Sequence, residues 1–193
     1  MADNLAYQQA EYRDEIWSET LNGSIVLMAP RPAVNHTRAA FNIACAFTSY
    51  LRGKTCEAFS DGIDVYLTKD DIVVPDAMIV CNKDIIKRNG IYGAPDLIVE
   101  VLSRSTEKWD KGYKKKLYEQ CGVREYWIVD PDAKYIEVYL LKNGEFVLDD
   151  IYRLPPNVED LTPDELESYK TEVPVSLYDS FSVPLEEIFW NLS

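Results

Sequence analysis

The sequence lacks long apolar runs and clustered metal-binding side chains. No apolar run approaches the roughly 18 residues that a membrane-spanning helix needs, and the first 17 residues, MADNLAYQQAEYRDEIW, have no signal-peptide core. The four cysteines form no CxxC pair and have no cluster of histidines beside them; they are Cys45, Cys56, Cys81 and Cys121. We therefore expect no zinc site, reduced thiols and a cytoplasmic protein.

Internal repeats, low-complexity tracts and Gly/Ser linkers are also absent, which favours a single domain over residues 1–193. A chain of this length can bury roughly 70% of its unfolded surface around one core. Hydrophobic residues make up 47% of the chain and charged residues 27%, which excludes wholesale disorder.

Positive charge is scarce, and its distribution is uneven. The chain has 20 Lys and Arg against 33 Asp and Glu, a net charge of −13 that at first argues against a nucleic-acid partner. Residues 145–193 carry 12 acidic and 2 basic side chains, whereas residues 104–124 have a net charge of +4. The acidic end is a solvated surface in one interpretation, and an acidic cover or a partner-binding tail in the other. In both cases, the net charge of the whole chain does not describe its middle part.

The apolar patterns predict an α/β or α+β protein in which helices pack against a sheet. After a polar, partly helical lead-in over 1–20, the pattern predicts two helices, at 35–51 and 105–122. The predicted strands are 24–29, 62–67, 72–80, 96–102, 125–129 and 135–141. Residues 145–193 form a mixed acidic extension, broken at Pro155 and Pro156, whose apolar finish FSVPLEEIFW we expect to pack on the core.

Each predicted helix has one apolar face. Asn35 is a candidate N-cap for the first helix, whose core face comprises Ala40, Phe41, Ala44, Phe47 and Leu51. Ser105 or Thr106 would cap the second helix. Its apolar stripe recurs every four residues and comprises Trp109, Tyr113, Leu117 and Cys121.

Two acids occur inside apolar strands. Glu100 lies in DLIVEVL, where both strand faces are apolar, so this strand should be central and the carboxylate buried. Asp76 lies in VVPDAMIV, where Pro75 removes a ladder donor and indicates an edge or a bulge. A buried carboxylate needs a partner, a shifted pKa or a metal ion. The two acids are therefore either satisfied ion pairs and edge residues, or joint ligands of a hard divalent cation.

A basic partner for these acids is available on the second helix. The strand itself has Leu102, not a lysine, two residues beyond Glu100. Asp110 and Lys114 are one helical turn apart and share a face with Tyr118. Because this face differs from the Trp109 stripe, Lys114 need not enter the core, and a surface salt bridge with Asp110 is the alternative.

The stretch PDLIVEVLSRSTEKWDKGYKKKLYEQCGVREYWIVDP, residues 95–131, resembles the putative restriction endonuclease family of the PD-(D/E)XK nuclease superfamily. VVPDAMIV resembles the family's PD motif, and NGSIVLMAP followed by His36 resembles its first hairpin and helix. SLYDSFSVPLEEIF resembles the family's C-terminal end. The resemblance implies a restriction-endonuclease-like core with a central mixed β-sheet flanked by helices.

By this resemblance, Asp76 and Glu100 correspond to the metal-binding acids, and the implied cofactor is Mg²⁺ or Mn²⁺. Lys114 corresponds to a catalytic lysine carried on the helix instead of the strand. Glu19, His36 and Asp110 are auxiliary candidates, although His36 could equally be a capping or surface residue. Tyr118, Tyr126 and Trp127 also match family positions, where packing is the favoured role.

The implied activity is hydrolysis of a phosphodiester bond in nucleic acid, with DNA the favoured substrate. Five basic side chains are candidates for attracting the nucleic-acid backbone without sequence preference: Arg104, Lys108, Lys111, Lys115 and Lys116. No helix-turn-helix or zinc-finger reader occurs in the sequence. The alternatives are a nuclease-like fold that serves as a non-catalytic binding or assembly module, and a homodimer that masks its site with the acidic end.

Overall fold

The structure, a computed structural model, describes residues 18–28, 32–155, 162 and 169–193. The predicted lead-in over 1–17, the end of the first predicted strand with Pro30, and the break at Pro156 lie outside the described residues. No helix in the described ranges is long and apolar enough to cross a membrane.

The strands are β1 (Ser18–Leu21), β2 (Ser24–Leu27), β3 (Glu57–Ser60), β4 (Val65–Tyr66), β5 (Ile72–Val73), β6 (Ala77–Val80), β7 (Ile86–Lys87), β8 (Gly90–Tyr92), β9 (Leu97–Val101), β10 (Glu125–Asp130), β11 (Tyr135–Lys142), β12 (Glu145–Arg153), β13 (Glu172–Pro174) and β14 (Ser182–Pro184). The helices are α1 (Val34–Leu51), α2 (Glu107–Trp109), α3 (Lys115–Cys121) and α4 (Leu185–Ile188). A 3₁₀ turn spans Lys83–Ile85, and a π-helical turn, Asp110–Lys114, joins α2 to α3.

A mixed six-stranded sheet with the order β12-β11-β10-β9-β6-β3 forms the centre of the fold. β9 and β10 are parallel, and the other neighbouring strands are antiparallel. All five residues of β9 are buried, as the apolar pattern around Glu100 predicts for a central strand. With helices packed against this sheet, the fold is α+β, which confirms the predicted class.

Strand alternation divides the core into two clusters, one on each face of the central sheet. Leu97, Val99 and Val101 pack in the cluster beneath α1, whereas Ile98 and Leu102 belong to the opposite cluster. The opposite cluster also contains residues of α3 and of a smaller sheet with the order β2-β1-β5-β4-β8-β7. This arrangement brings Glu100, β1 and the π-helical turn to the same side of the molecule.

The start and the outer face of α1 differ from the prediction. Ala33 occupies the N-cap position without a side-chain cap, and Asn35 instead donates to the Ser193 carbonyl at 2.8 Å. Ala40, Ala44, Phe47 and Leu51 are buried as predicted, but Phe41 is 65% exposed. A period of three and four residues covers a broad arc of a helix, and Phe41 lies outside the part that contacts the sheet.

Two predicted strands are shorter than expected. The predicted strand 62–67 is reduced to β4, and the predicted strand 72–80 is divided into β5 and β6 by a break at Pro75 and Asp76. The break agrees with the interruption that Pro75 predicts, since proline provides no N–H for a ladder. β5 pairs in the small sheet and β6 in the central sheet, so Asp76 lies where the chain passes between the two sheets.

The second helix is irregular, and the predicted stripe is correct only in part. Three of its members pack in the cluster opposite α1, namely Tyr113, Leu117 and Cys121. The π-helical turn changes the helical register, so that Asp110 and Lys114 are both only 1% exposed, while Trp109 is 38% exposed. The alternative of a surface salt bridge is therefore wrong, because Lys114 enters the core and its ion pair with Asp110 is buried. A π turn adds one residue to a helical turn, which a strict four-residue period cannot anticipate.

The acidic end contributes to the sheet and the core. Residues 145–153 form β12, a long edge strand paired with β11 that the sequence pattern left within a mixed tail. β13 pairs with β14, and Val173, Phe181 and Ile188 are buried in the cluster beneath α1. Much of this acidic region is thus built into the fold, and its removal would take away a strand of the central sheet.

The expectation of four reduced thiols is also wrong. Cys56 and Cys81 form a disulfide, and Cys45 and Cys121 are free. Cys56 precedes β3 and Cys81 follows β6, and these strands are antiparallel with Glu57 opposite Val80. The register therefore brings two cysteines 25 residues apart in the sequence face to face, which their spacing alone does not indicate.

Candidate active site

The two strand acids come together where β6 and β9 meet. Ala77 pairs with Val99 in this antiparallel ladder, and Asp76 and Glu100 are the next residues along the two strands. The Val101 backbone N–H donates to Asp76 Oδ2 at 2.7 Å, so the Asp76 carboxylate occupies the ladder position that the end of β6 leaves open. Both acids are buried, with exposed fractions of 8% and 3%.

Lys114 lies at the centre of the acidic cluster. Its Nζ atom is 2.7 Å from Glu100 Oε1, 3.0 Å from Glu19 Oε1 and 3.2 Å from Asp110 Oδ1. Glu19 comes from β1 of the small sheet, and its Oε1 also accepts a hydrogen bond from the Val74 N–H at 2.9 Å. The π-helical turn, the small sheet and the central sheet thus each contribute to one buried ion-pair network.

Two buried tyrosines donate hydrogen bonds to members of this network. The Tyr118 hydroxyl donates to Glu100 Oε1 at 2.6 Å, and the Tyr126 hydroxyl donates to the Asp110 carbonyl at 3.0 Å. Both rings are fully buried and meet edge to face, with centroids 5.2 Å apart. The sequence analysis favoured packing for these residues; the structure adds that the Tyr118 hydroxyl fixes the orientation of the Glu100 carboxylate.

The combined effects of burial and neighbouring charges raise the pKa of both Glu100 and Lys114. Desolvation raises the pKa of Glu100 well above its usual range, although Lys114 opposes this effect. Burial alone would lower the pKa of Lys114, but Glu100 and the other nearby anionic groups raise it well above its usual value. Lys114 therefore remains an ammonium, and its carboxylate partners would be stabilised by binding a proton or a further cation.

A cleft of about 220 Å³ opens beside Asp76. His36 on α1 places its Nε2 atom 3.5 Å from Asp76 Oδ1, and its buried Nδ1 has no hydrogen-bond partner among the described residues. Desolvation raises the pKa of Asp76 to about 6, against the opposing effect of His36. His36 therefore contacts Asp76 and is not the N-cap of α1, and its auxiliary role stays a prediction.

Asp61 is a residue of this cleft that the sequence analysis missed. It directly follows β3, whose last residue pairs with Ala77, so it lies near Asp76. Burial raises its pKa, and a hydrogen bond from the Gly62 backbone opposes that shift. In the sequence, Asp61 precedes Gly62 and has the composition of an ordinary turn, so only the strand pairing identifies it.

Comparison with known proteins places the chain in a family. The family model Uma2, described as putative restriction endonuclease, matches residues 5–174. The chain belongs to the Uma2 family. This agrees with the resemblance in the sequence, and the match extends beyond the segment that carries the charged network.

The uncharacterised Synechocystis protein slr1290 is 28% identical to this Uma2-family chain over 69% of it and 70% of the relative. A second uncharacterised Synechocystis protein, sll1609, is 27% identical over 69% of the chain and 77% of the relative. The crystal structure of a putative nuclease of the DUF820 group from Anabaena variabilis has a TM-score of 0.68. The match covers 91% of this chain and 90% of the Anabaena chain at 20% sequence identity, which shows a shared fold.

The five basic residues expected to attract nucleic acid have mixed surroundings in this Uma2-family chain. Lys111 forms an ion pair with Glu107 at 3.1 Å, and Lys116 forms one with Glu119. Lys115 lies over the Tyr139 ring, with Nζ 3.4 Å from the centroid. The remaining two, Arg104 and Lys108, are exposed. Much of the local positive charge is thus already balanced within the helix and its neighbours.

The buried charges are compatible with a divalent cation. In the described part of the chain, no group of three or more His, Cys, Asp or Glu side chains has the geometry of a metal site. Three buried carboxylates nevertheless contact one lysine, namely Glu19, Glu100 and Asp110, and a fourth buried carboxylate, Asp76, lies beside Glu100 on the neighbouring strand. Mg²⁺ commonly uses one or two carboxylates and keeps several water ligands. The donor type and the negative excess therefore fit the cation that the resemblance implies.

Proposed function

We propose that the protein is a metal-dependent nuclease that hydrolyses phosphodiester bonds of nucleic acid. The observation that carries this proposal is the buried contact of 2.7 Å between Lys114 and Glu100. Glu100 and Asp76 are the residues that follow the Ala77–Val99 pair of the ladder. Three groups matching the superfamily's metal-binding acids and lysine converge at one end of two central strands. Family membership and the shared fold support the same class of activity.

In this proposal, Asp76 and Glu100 hold Mg²⁺ or Mn²⁺. When bound, the metal supplies a Lewis acid for the phosphoryl oxygen and lowers the pKa of a coordinated water. Tyr118 keeps one Glu100 oxygen oriented through its hydrogen bond of 2.6 Å. The N–H of Val101 does the same for Asp76, so both carboxylates are fixed before a ligand arrives.

Lys114 supplies the positive charge of the site. Glu19 and Asp110 hold its ammonium next to Glu100, and this placement suits a group that stabilises charge developing on the phosphate. His36 contacts Asp76 and lines the cleft through which the substrate would enter. DNA as the substrate, homodimer formation and a cytoplasmic location remain predictions from the sequence.

The direct test is incubation of the purified protein with plasmid, single-stranded DNA and RNA in the presence of Mg²⁺ or Mn²⁺. Glu100→Gln keeps the shape of the side chain and removes a ligand charge, so we expect at least a roughly 100-fold loss of cleavage rate. Glu125→Gln is the matched control, because Glu125 is an equally buried glutamate on the neighbouring strand and makes no contact with Lys114. Its variant should cleave like the unaltered protein.

Calorimetric titration with Mn²⁺ separates this proposal from the non-catalytic binding module. We expect the unaltered protein and Glu125→Gln to bind the ion, and Asp76→Asn and Glu100→Gln to lose that binding. Cleavage that survives Glu100→Gln would refute the residue assignment. A folded protein that neither binds Mn²⁺ nor cleaves any nucleic acid would refute the proposed activity and favour the binding module.

A further inference from the structure

The cleft beside Asp76 has two walls of different chemistry. One wall belongs to α1 and includes the Ala40 methyl group and the Phe41 ring, with His36 at its inner end. The other wall follows β3 and includes Ser60 and Asp61. Asp76 also lines the cleft, so the cleft reaches one of the two candidate metal-binding acids.

Phe41 is the most exposed aromatic side chain of this cleft, at 65%. Most of the large apolar side chains of α1 are buried against the sheet, whereas the Phe41 ring is open to a ligand that enters the cleft. The neighbouring Ala40 is small and buried, so it leaves space beside the ring. An aromatic face next to a small residue is suited to stacking with a flat ring.

The described lining of the cleft suits the edge of a base better than a bare phosphate. Among the described residues, its lining contains two carboxylates, Asp61 and Asp76, and neither lysine nor arginine. Carboxylate and hydroxyl oxygens instead accept hydrogen bonds from N–H groups at the edge of a flat heterocycle. Asp and Glu accept from the exocyclic amino group of cytosine in this way.

We propose that the cleft is a subsite for one unpaired nucleobase, which stacks on Phe41 and directs an exocyclic amino group toward Asp61. The inference rests on the proposed function, which supplies nucleic acid as the ligand class and Asp76 as the neighbouring point of attack. A base within a duplex has its faces covered by its neighbours, so only an unpaired or extruded base can stack on the ring. The subsite therefore selects single-stranded nucleic acid.

The test is a binding measurement on the full chain, with EDTA present so that metal-dependent cleavage does not interfere. Fluorescently labelled oligo(dC), oligo(dT) and a blunt duplex, each of about 12 nucleotides, are compared by anisotropy. Phe41→Ala should weaken binding of the single strands roughly 5- to 150-fold and leave binding of the duplex unchanged. Phe41→Trp should retain the affinity, because it keeps an aromatic face.

The matched control is Val34→Ala, since Val34 is 64% exposed on the same helix and does not line the cleft. It should bind every probe like the unaltered protein. Asp61→Ala tests the hydrogen bond to the edge of the base. Oligo(dC) should bind the unaltered protein more tightly than oligo(dT), and Asp61→Ala should bind the two equally. Both altered phenylalanine variants should fold, because the ring is on the surface.

Unchanged affinity of Phe41→Ala for single strands would overturn the proposal, as would an equal loss for single strands and duplex. Absence of binding to every probe would also overturn it. Binding that depends on Phe41 without cleavage in Mg²⁺ would refute the nuclease activity and retain the subsite. Cleavage that Phe41→Ala leaves intact, together with unchanged binding, would refute the subsite and retain the nuclease.

Discussion

Two buried glutamates on neighbouring parallel strands have opposite kinds of surroundings. Glu100 in β9 faces the cluster that contains α3, and it contacts the Lys114 ammonium and the Tyr118 hydroxyl. Glu125 in β10 lies on the face of Trp127, beneath α1, and accepts three hydrogen bonds from uncharged donors. These come from Trp127 Nε1 at 2.6 Å, the Ser176 N–H at 2.8 Å and the Ser176 hydroxyl at 2.6 Å.

The comparison shows that burial of an acid does not identify a functional residue by itself. Desolvation raises the pKa of both glutamates. Glu125 has its hydrogen bonds within the fold and joins the segment around Ser176 to the central sheet. Glu100 shares one lysine with two other carboxylates, and its network has an excess of negative charge. The nature and number of the partners, and not the pKa shift, distinguish a structural joint from a candidate site.

The largest expected change in stability comes from removing the Lys114 ammonium, the partner of Glu100. Lys114→Met leaves Glu19, Glu100 and Asp110 without their shared partner in a buried position. We expect the free energy of unfolding to fall by about 3–5 kcal/mol, measured by urea denaturation. Adding Glu100→Gln to this variant should restore part of the loss, because one of the uncompensated charges is then removed.

Lys116→Met serves as the control, since Lys116 lies in the same helix but pairs with Glu119 at the surface. Its stability should match that of the unaltered protein. If Lys114→Met were no more costly than Lys116→Met, the ion-pair network would contribute nothing to the fold, and the contrast between the two glutamates would disappear.

A smaller effect is expected on the Glu125 side. Ser176→Ala removes a hydroxyl donor to Glu125 Oε2 and leaves the backbone donor in place. We expect a loss of about 1–3 kcal/mol in the free energy of unfolding, with nuclease activity unchanged. Ser180→Ala, at an exposed position on the same segment, provides the reference. Equal stability of the two variants would argue against Glu125 as a structural joint.

The smallest effect is a pH dependence that belongs to Glu125. Because desolvation raises the pKa of this carboxyl in the folded protein, the folded state keeps its proton to higher pH than the unfolded state. The stability from neutral Glu125 is therefore complete below the usual pKa of 4.5 and is lost as pH rises through the raised value. The stability of the unaltered protein relative to Glu125→Gln should decrease from pH 4.5 upward. A constant or rising difference would contradict this assignment.

The central sheet and its acids were predictable because they depend on local patterns. Two apolar faces around Glu100 require a central strand, and Pro75 requires a break in the strand before Asp76. The position of Lys114 on the helix was also predictable, but its burial was not. That burial depends on the π-helical turn and on Glu19, which reaches the lysine from a separate sheet.

Features set by pairing between distant strands could not be predicted from the sequence alone. Asp61 enters the site, and Cys56 meets Cys81, only because β3 pairs with β6 in one particular register. The acidic composition of residues 145–153 concealed β12, in which the apolar run Phe146–Leu148 and the acidic pair Asp149 and Asp150 interrupt the polar–apolar alternation expected of an edge strand. In each case a long-range ladder overrides what the local composition indicates.

The π-helical turn makes the position of the site sensitive to a change in chain length. A residue advances an α-helix by about 100°, so the additional residue in this turn rotates everything before it relative to everything after it. Deleting Gly112, which has no neighbour within 4 Å of where a side chain would begin, would convert the segment toward a regular α-helix. Asp110 and Lys114 would then be three residues apart and still neighbours on the helix, but the residues before the turn would be rotated relative to α3. A deletion outside the charged cluster would thus change the orientation of α2 relative to the lysine.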